Sequence, residues 1–443
     1  MLLLFRMQIM LKKKFFAKGG DVISGEVVMP GDKSISHRAV MCGALAKGVS
    51  RIANCLMGDD VKATIQAFKS MGVEFEFDSQ FSFLIKGRGC HLEHPRRTIN
   101  LQNSGTSIRL ITGILAGLNL SARLDGDESL RRRPMERIAT PLRKMGAIIN
   151  LREEDFPPID IISSKRLEAI EYTLPVASAQ VKSAVIFASL FANGTSVVRE
   201  LTRTRDHTER MLSQFGVDLR VEDKEIKIQG CRELHPVDLE IPGDLSSAAF
   251  FIVAAIIARS GGVKIKGVGL NPTRDGAITI LKEMGAKIHI ENKRVLGNEP
   301  VADILAFPSM LNGIVINEKL VASAIDEFPI LFVAAACARG ETQLTGAEEL
   351  RHKESNRLVT MATNLRRLGI SVELFKDGLT ISGGDFKSGE IDAEGDHRVA
   401  MAFAVASLRA EGGITIDNAA EIDTSFPNFF DVAETLGLRL TWT

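Results

Sequence analysis

The sequence has little of what nucleic-acid-binding and membrane proteins need. Its 55 Lys and Arg balance 55 Asp and Glu, so no net positive field attracts a polyanion. One Trp and one Tyr offer few rings for stacking on bases. The apolar part of MLLLFRMQIMLKKKFF is too short to span a bilayer, and its basic residues follow it rather than precede it as in a secretory signal. We expect a strand with an N-terminal extension there, and neither a nucleic-acid nor a membrane partner.

Cysteine is also scarce, and its spacing matches neither a metal site nor a disulfide framework. The five cysteines lie at least 13 residues apart, at Cys42, Cys55, Cys90, Cys231 and Cys337. We therefore expect free thiols, no bound metal and a cytoplasmic location. At 443 residues with 45% apolar residues, the chain is long enough for two or three globular domains.

A glycine signal repeats six times along the chain. A Met/Leu/Phe–Gly–apolar motif typical of a helix end recurs every 68 to 84 residues, and an alternating strand pattern follows each time. The glycines are Gly72, Gly146, Gly216, Gly285, Gly369 and Gly437. A polar helix start stands 38 to 43 residues before each one, at or near Asp32, Asn103, Ser178, Asp244, Asp326 and Asp396. The polar helix start and the glycine signal recur six times at a nearly constant distance from each other, which predicts six βαβαββ repeats.

The helix that follows each polar start is apolar on nearly all sides, which is typical of a buried helix. The stretches VVMPGDKS and LEIPGDLS resemble each other and mark chain crossings near 30–32 and 242–244. The sequence therefore predicts an α/β fold of two similar lobes, each of three βαβαββ repeats in an inside-out α/β barrel. One lobe combines 1–30 with 243–443, the other spans 31–242, and the helix starts face a cleft between the lobes.

Basic residues recur at the predicted helix starts. Capping explains Asp, Ser and Asn there, and we interpret Asp244 and Ser246 as caps. It does not explain Lys33, Arg38 or Arg398, because cations oppose the helix dipole at its N-terminus. Such a pattern indicates bound anions.

Two carboxylates accompany these cations. Asp326 stands in AIDEFP and Glu354 in ELRHKESNRL, beside Lys353 and Arg357. Neighbouring cations modulate the protonation of such acids. We therefore predict general acid–base chemistry on an anionic, phosphorylated substrate.

Eight stretches in this order and phase resemble the EPSP synthase (3-phosphoshikimate 1-carboxyvinyltransferase) family, in its class II bacterial branch. They are GDKSISHR, NSGTSIR, SAQVKSA, RDHTE, IDEFPI, ELRHKESNRL, DHRVAM and TSFPNF. The resemblance implies the two-lobed enolpyruvyl transferase fold. It also implies transfer of the enolpyruvyl group of phosphoenolpyruvate to the 5-hydroxyl of shikimate 3-phosphate, in aromatic amino-acid biosynthesis, with no metal or organic cofactor.

The resemblance implies roles for individual residues. Asp326, Glu354 and Lys33 are the expected catalytic groups. The residues expected to bind shikimate 3-phosphate are Lys33, Ser34, Arg38, Ser178, Ala179, Gln180, Arg205, Asp326 and Lys353. Those expected to bind phosphoenolpyruvate are Lys33, Gly105, Arg133, Gln180, Arg357 and Arg398.

Two positions bear on variation within the family. Class I members commonly have a lysine where this chain has Thr424, so one phosphoenolpyruvate contact is missing or replaced. Some class II members tolerate glyphosate through an alanine where this chain has Gly105. We therefore predict sensitivity to glyphosate.

Two alternatives remain open at this stage. The sister enolpyruvyl transferase that acts on UDP-N-acetylglucosamine typically uses a loop cysteine, and none lies between Cys90 and Cys231. A catalytically silent phosphometabolite-binding protein on the same fold would not need Lys33, Asp326 and Glu354 together. No pattern in the sequence indicates an oligomer interface, so we expect a monomer.

Overall fold

The computed structural model describes residues 14–20, 22–230 and 233–443. The expected N-terminal extension falls on residues 1–13, outside the described residues, as does Cys231. The chain divides into two compact units. The first unit contains the described residues up to Pro30, Pro242–Val295 and Pro300–Thr443, and the second contains Gly31–Ile241 and Leu296–Glu299. No sequence pattern indicated that the short segment Leu296–Glu299 belongs to the second unit.

Strands and helices alternate as the repeat predicts. The strands are β1 Phe15–Gly19, β2 Val22–Val28, β3 Lys47–Ala53, β4 Glu74–Phe77, β5 Phe83–Arg88, β6 Ile99–Asn100, β7 Ala122–Asp125, β8 Ile148–Arg152, β9 Phe156–Ile162, β10 Glu171–Thr173, β11 Thr195–Arg199, β12 Leu219–Glu222, β13 Glu225–Gln229, β14 Leu239–Glu240, β15 Ser260–Gly269, β16 Lys287–Leu296, β17 Glu299–Phe307, β18 Glu341–Leu344, β19 Ser371–Leu374, β20 Leu379–Ser382, β21 Gly389–Asp392, β22 Ile414–Asp417 and β23 Leu438–Trp442. The α-helices are α1 Lys33–Leu45, α2 Asp59–Ser70, α3 Gly105–Gly117, α4 Glu136–Lys144, α5 Ala179–Ser189, α6 His207–Gln214, α7 Leu245–Ile257, α8 Gly276–Glu283, α9 Val321–Ala324, α10 Phe328–Ala336, α11 Arg357–Arg367, α12 His397–Ala406 and α13 Phe429–Leu436.

The six predicted helix-ending glycines are confirmed. Each follows a helix and precedes a strand, and each has a positive φ between 82° and 106°. A side chain is strained in that left-handed conformation, which is why glycine recurs there. In every repeat, this glycine therefore determines where the helix ends and the next strand begins.

The sheets repeat one pairing pattern. In each four-stranded sheet one edge strand pairs parallel to its neighbour. Antiparallel pairs complete the order in β6-β7-β9-β8 and β10-β11-β13-β12. The sheet β18-β20-β19 has three strands, because its first strand is reduced to the isolated bridges Asn312↔Arg339 and Val315↔Gln343.

Strands near the chain crossings complete three of the sheets. In the second unit, β14 pairs parallel to β3 and so supplies the first strand of the first repeat. In the first unit, β2 pairs parallel to β15, and β1 lies between β22 and β23. The N-terminal strands and the segment after Pro242 therefore complete each other's sheets within the first unit.

Each unit has its own hydrophobic core, built around the helices that follow the polar starts. All thirteen residues of α7 are buried, as are twelve of the thirteen residues of α3. Since these helices have no solvent face, their N-termini are where they can present polar groups. No helix within the described ranges is both long enough and apolar enough to cross a membrane.

Candidate active site

The polar helix starts are caps, with small offsets from the predicted positions. Asp32, Ser178, Asp244 and Asp396 are the N-cap residues of α1, α5, α7 and α12. At the other two starts the cap lies one residue later, at Ser104 and Glu327. Asp244 accepts a hydrogen bond from Ser246 N at 3.0 Å, which agrees with its interpretation as a cap. Charged residues follow several of these caps, among them Lys33 and Arg398.

In the second unit, Lys33 is the first residue of α1, and its ammonium group forms an ion pair with Asp60. Asp60 lies in the first turn of α2. Sequence reasoning missed this carboxylate, because acidic residues in a first helical turn are ordinary partners of the helix dipole. The pair holds the Lys33 amine at the start of its helix.

Arg38, one turn further along α1, is buried with 3% of its surface exposed. Its guanidinium donates to Thr208 Oγ1 at 2.6 Å, to Ser183 Oγ at 2.9 Å and to Ser34 O at 2.9 Å. The pKa of Arg38 is lowered to about 10, chiefly by burial and to a lesser extent by the charge of Arg205, while Glu209 and Asp32 oppose the shift. Arg38 is still charged at neutral pH, and a bound anion would stabilise that charge.

A second group in this unit gathers at the start of α3. Arg109 Nη1 donates to Gln180 Oε1 at 2.5 Å, and Arg133 donates to Asn103 Oδ1. A Cβ atom at Gly105 would lie 3.0 Å from Arg133 Nη1 and 3.2 Å from Arg109 Nη1. Gly105 therefore allows both arginines to approach the helix start closely.

A chain of buried hydroxyl groups connects α1, α2 and α3. Ser107 Oγ lies 2.6 Å from both Ser104 Oγ and Thr64 Oγ1, and Thr64 Oγ1 lies 2.7 Å from His37 Nδ1. Burial lowers the pKa of His37 well below its usual value, and Lys33 and Arg38 add to the effect. His37 is therefore neutral at physiological pH, and its contact with Thr64 helps to connect α1 with α2 and α3.

In the first unit, Arg357 at the start of α11 contacts three carboxylates. Its guanidinium lies 2.8 Å from Asp396 Oδ2, 2.7 Å from Glu354 Oε2 and 3.5 Å from Asp326 Oδ1. Burial by itself lowers the pKa of Arg357, but Asp396, Glu354 and Asp326 together raise it above its usual value. Burial would raise the pKa of Asp396, and the charge of Arg357 reverses that effect and lowers it. Sequence reasoning identified Asp396 as a helix start and missed this contact.

Lys353 and Arg398 complete the group around Asp326. Lys353 Nζ lies 3.7 Å from Asp326 Oδ1, and Arg398 Nη1 donates to the backbone Asp326 O at 3.0 Å. The buried Glu327 lies 3.8 Å from Arg398 Nη1 and 3.5 Å from Arg274 Nη2. The structure thus brings Asp326, Lys353, Glu354, Arg357 and Arg398 together within the first unit.

Thr424 stands apart from these contacts. It ends the 3₁₀ helix Ala420–Thr424, and its hydroxyl donates to Glu421 O at 2.6 Å.

Among the residues that the structure describes, no group of three or more His, Cys, Asp and Glu side chains is placed to hold a metal ion.

Comparisons with known proteins agree with this architecture. The family model described as EPSP synthase (3-phosphoshikimate 1-carboxyvinyltransferase) matches residues 17–433. A 3-phosphoshikimate 1-carboxyvinyltransferase of Methylococcus capsulatus is 49% identical over 96% of this chain and 98% of its own length. One from Alkalilimnicola ehrlichii is 47% identical over 97% of this chain and 96% of its own length.

Solved structures show the same similarity. The EPSP synthase from Acinetobacter baumannii superposes with a TM-score of 0.87 at 45% identity, covering 97% of this chain and 100% of that one. The enolpyruvyl transferase NikO from Streptomyces tendae, at 18% identity and a TM-score of 0.78, shares the fold over 98% of this chain and 100% of its own. With a family match over nearly its whole length and relatives close to half identical, this chain belongs to the EPSP synthase (3-phosphoshikimate 1-carboxyvinyltransferase) family.

Proposed function

We propose that this enzyme transfers the enolpyruvyl group of phosphoenolpyruvate to the 5-hydroxyl of shikimate 3-phosphate. The products are 5-enolpyruvylshikimate 3-phosphate and inorganic phosphate, in the biosynthesis of aromatic amino acids. The observation that carries the proposal is the contact of buried Arg357 with Asp326 and Glu354. Two carboxylates held beside a buried arginine are suited to proton transfer on a bound anionic substrate.

The chemistry needs groups that move protons at two places. The 5-hydroxyl loses a proton as its oxygen attacks C2 of phosphoenolpyruvate, and C3 gains one to give a tetrahedral intermediate. Loss of that C3 proton then expels phosphate and restores the double bond. We assign the hydroxyl proton to Asp326, whose carboxylate Arg357 and Lys353 hold in place, and the C3 proton to Glu354 with Lys33.

Arginine side chains of the second unit suit the phosphate of shikimate 3-phosphate. Arg205 lies close enough to Arg38 for its charge to lower the pKa of Arg38, and an anion that binds both arginines would stabilise the two like charges. Lys33, Ser34 and the start of α5 at Ser178, Ala179 and Gln180 would add donors to the same substrate. Asp326 and Lys353 would bind its ring hydroxyls.

Phosphoenolpyruvate carries a carboxylate and a phosphate, which the planar guanidinium group binds in a bidentate manner. We assign its binding to Lys33, Gly105, Arg133 and Gln180 of the second unit, and to Arg357 and Arg398 of the first. Arg133 and Gln180 belong to the polar group at the start of α3.

We further propose that the enzyme acts as a cytoplasmic monomer. Size-exclusion chromatography with light scattering would test whether it is monomeric.

Phosphate release from the purified protein tests the proposed reaction. Phosphoenolpyruvate is supplied with either shikimate 3-phosphate or UDP-N-acetylglucosamine. We expect release with the shikimate compound and none with the nucleotide sugar. Release with the nucleotide sugar alone, or silence with both in folded protein, would contradict the proposal.

A further inference from the structure

Lys182 is a completely buried lysine in the second unit, and none of the proposed chemistry uses it. It lies in the first turn of α5, two residues after Gln180, and none of its side chain is exposed. Its ammonium group lies 2.8 Å from Glu209 Oε1, 3.1 Å from Glu200 Oε2 and 3.3 Å from Thr204 O. Because burying a charge is costly unless it is paired, these contacts constrain all four residues.

The contacts of Lys182 hold the segment that carries Arg205. Glu200 accepts hydrogen bonds from both Thr204 N, at 3.0 Å, and Thr204 Oγ1. Lys182 binds Glu200 and the carbonyl of Thr204 at once, so it holds both ends of the turn 200–204. Arg205 follows that turn directly, and its backbone position depends on it.

The same lysine is linked to Arg38 through its chain neighbours. Ser183, next to Lys182, and Thr208, next to Glu209, accept hydrogen bonds from the Arg38 guanidinium and lie 2.7 Å from each other. The Lys182–Glu209 ion pair holds α5 and α6 together at this point. Glu209 also stabilises the charged form of Arg38.

We propose that Lys182 is a positioning residue for the shikimate phosphate: by binding Glu200 and Glu209 it places Arg205 and Arg38 to bind one anion. Lys182 itself touches no substrate. The inference rests on the proposed function, since that function supplies the phosphate which both arginines would bind.

The test compares Michaelis constants for the two substrates. Replacing Lys182 alone would leave two carboxylates buried without their cation. The double variant Lys182→Met with Glu209→Gln is therefore used, because it leaves the net charge unchanged and only Glu200 without this cation. We expect the KM for shikimate 3-phosphate to rise about tenfold or more, because small displacements of binding groups are costly. The KM for phosphoenolpyruvate and kcat at saturation should stay within about threefold.

Val185→Ala is the matched control. Val185 lies on the same helix and is fully buried, so its truncation destabilises α5 without touching a charge. We expect a lower Tm and unchanged KM values for both substrates. A merely structural role for Lys182 would produce this same result in the double variant.

A second variant covers the case in which the double variant does not fold. Glu200→Gln loosens the turn before Arg205 but keeps the Lys182–Glu209 ion pair, and we expect a rise of about threefold in the KM for shikimate 3-phosphate alone. The wild-type enzyme is assayed first. Its activity with shikimate 3-phosphate establishes the proposed function, so folded variants with unchanged KM values would then overturn the role of Lys182 alone.

Discussion

Two buried arginines, one in each unit, have different described partners. Arg38 of the second unit donates its hydrogen bonds to hydroxyl and backbone oxygen atoms, although Lys33 and Lys182 of the same unit pair with carboxylates. In the first unit, Arg357 contacts three carboxylates, and Lys353 lies beside one of them. Neutral acceptors orient a guanidinium without neutralising it, whereas carboxylates compensate its charge.

We infer from this difference that the two arginines have different roles. Arg38 would keep its positive charge available for an anionic group of a substrate. Arg357 and Lys353 would hold the carboxylates of the first unit in place. Both are needed by a reaction that binds two phosphorylated substrates and moves protons between them.

The largest effect should follow from removing an acid in the first unit. Glu354→Gln keeps the size of the side chain but cannot move the C3 proton, so we expect kcat to fall about 10²- to 10⁴-fold. Phosphate release measures the rate, and calorimetry checks that shikimate 3-phosphate still binds. Glu349→Gln, which changes a carboxylate 4.0 Å from Lys353, is the control and should keep nearly full activity. Equal rates for wild type and Glu354→Gln would remove Glu354 from the mechanism.

Replacing one arginine in each unit by methionine tests the comparison directly. Arg357→Met leaves the buried carboxylate of Asp396 without its cation, and we expect a loss of about 3–5 kcal/mol in the free energy of unfolding. Arg38→Met leaves neutral hydrogen-bond acceptors without their donor, and we expect a loss of about 1–3 kcal/mol in the free energy of unfolding. Urea unfolding measures both values. Equal losses would show that the two environments do not differ as the contacts indicate.

Gly105→Ala tests the packing of the arginines at the start of α3. The added methyl group would lie 3.0 Å from Arg133 Nη1, so the guanidinium must shift. We expect the KM for phosphoenolpyruvate to rise by up to about tenfold, and inhibition by glyphosate to weaken more than that. Wild-type enzyme should be inhibited by millimolar glyphosate. Full activity at that glyphosate concentration, measured with a modest concentration of phosphoenolpyruvate, would refute the expected sensitivity.

Gly384→Ala is the control for that experiment. Its Cβ atom would meet Ile370 Cδ1 at 3.7 Å, which is ordinary contact, and we expect unchanged kinetics. A comparable response in both alanine variants would mean that crowding of Arg133 is not the cause.

The smallest effect concerns acid stability. Because Arg357 lowers the pKa of Asp396 in the folded enzyme, the stability contributed by this carboxylate is complete above its unfolded pKa, about 3.9. It is lost as the pH falls below that value and through the lower folded pKa. Urea unfolding between pH 7 and pH 3 should show this decline, and NMR of the Asp396 carboxyl should locate its titration. A folded-state pKa above the unfolded value would contradict the charge compensation described for Arg357.

Much of the fold could be predicted because its signals are local. A glycine at a helix end and a polar residue at a helix start act within a few residues, so Gly72 and Asp32 revealed their repeat without knowledge of the rest. The offsets at Ser104 and Glu327 are of one residue, since several adjacent polar residues could serve as the cap. The reduced first strand of the fifth repeat left no such signal, because isolated bridges need no strand pattern.

The sequence by itself determined the six repeats, the buried helices and the residue types at their starts, because backbone conformation and hydrophobic periodicity depend on near neighbours. The tertiary structure decided which charges meet: Lys33 with Asp60, Arg357 with Asp396, and Lys182 with Glu200 and Glu209. A chain with 55 acidic and 55 basic residues allows very many pairings. Burial selects among them, because a charge removed from water is stable only beside the partner that packing brings to it.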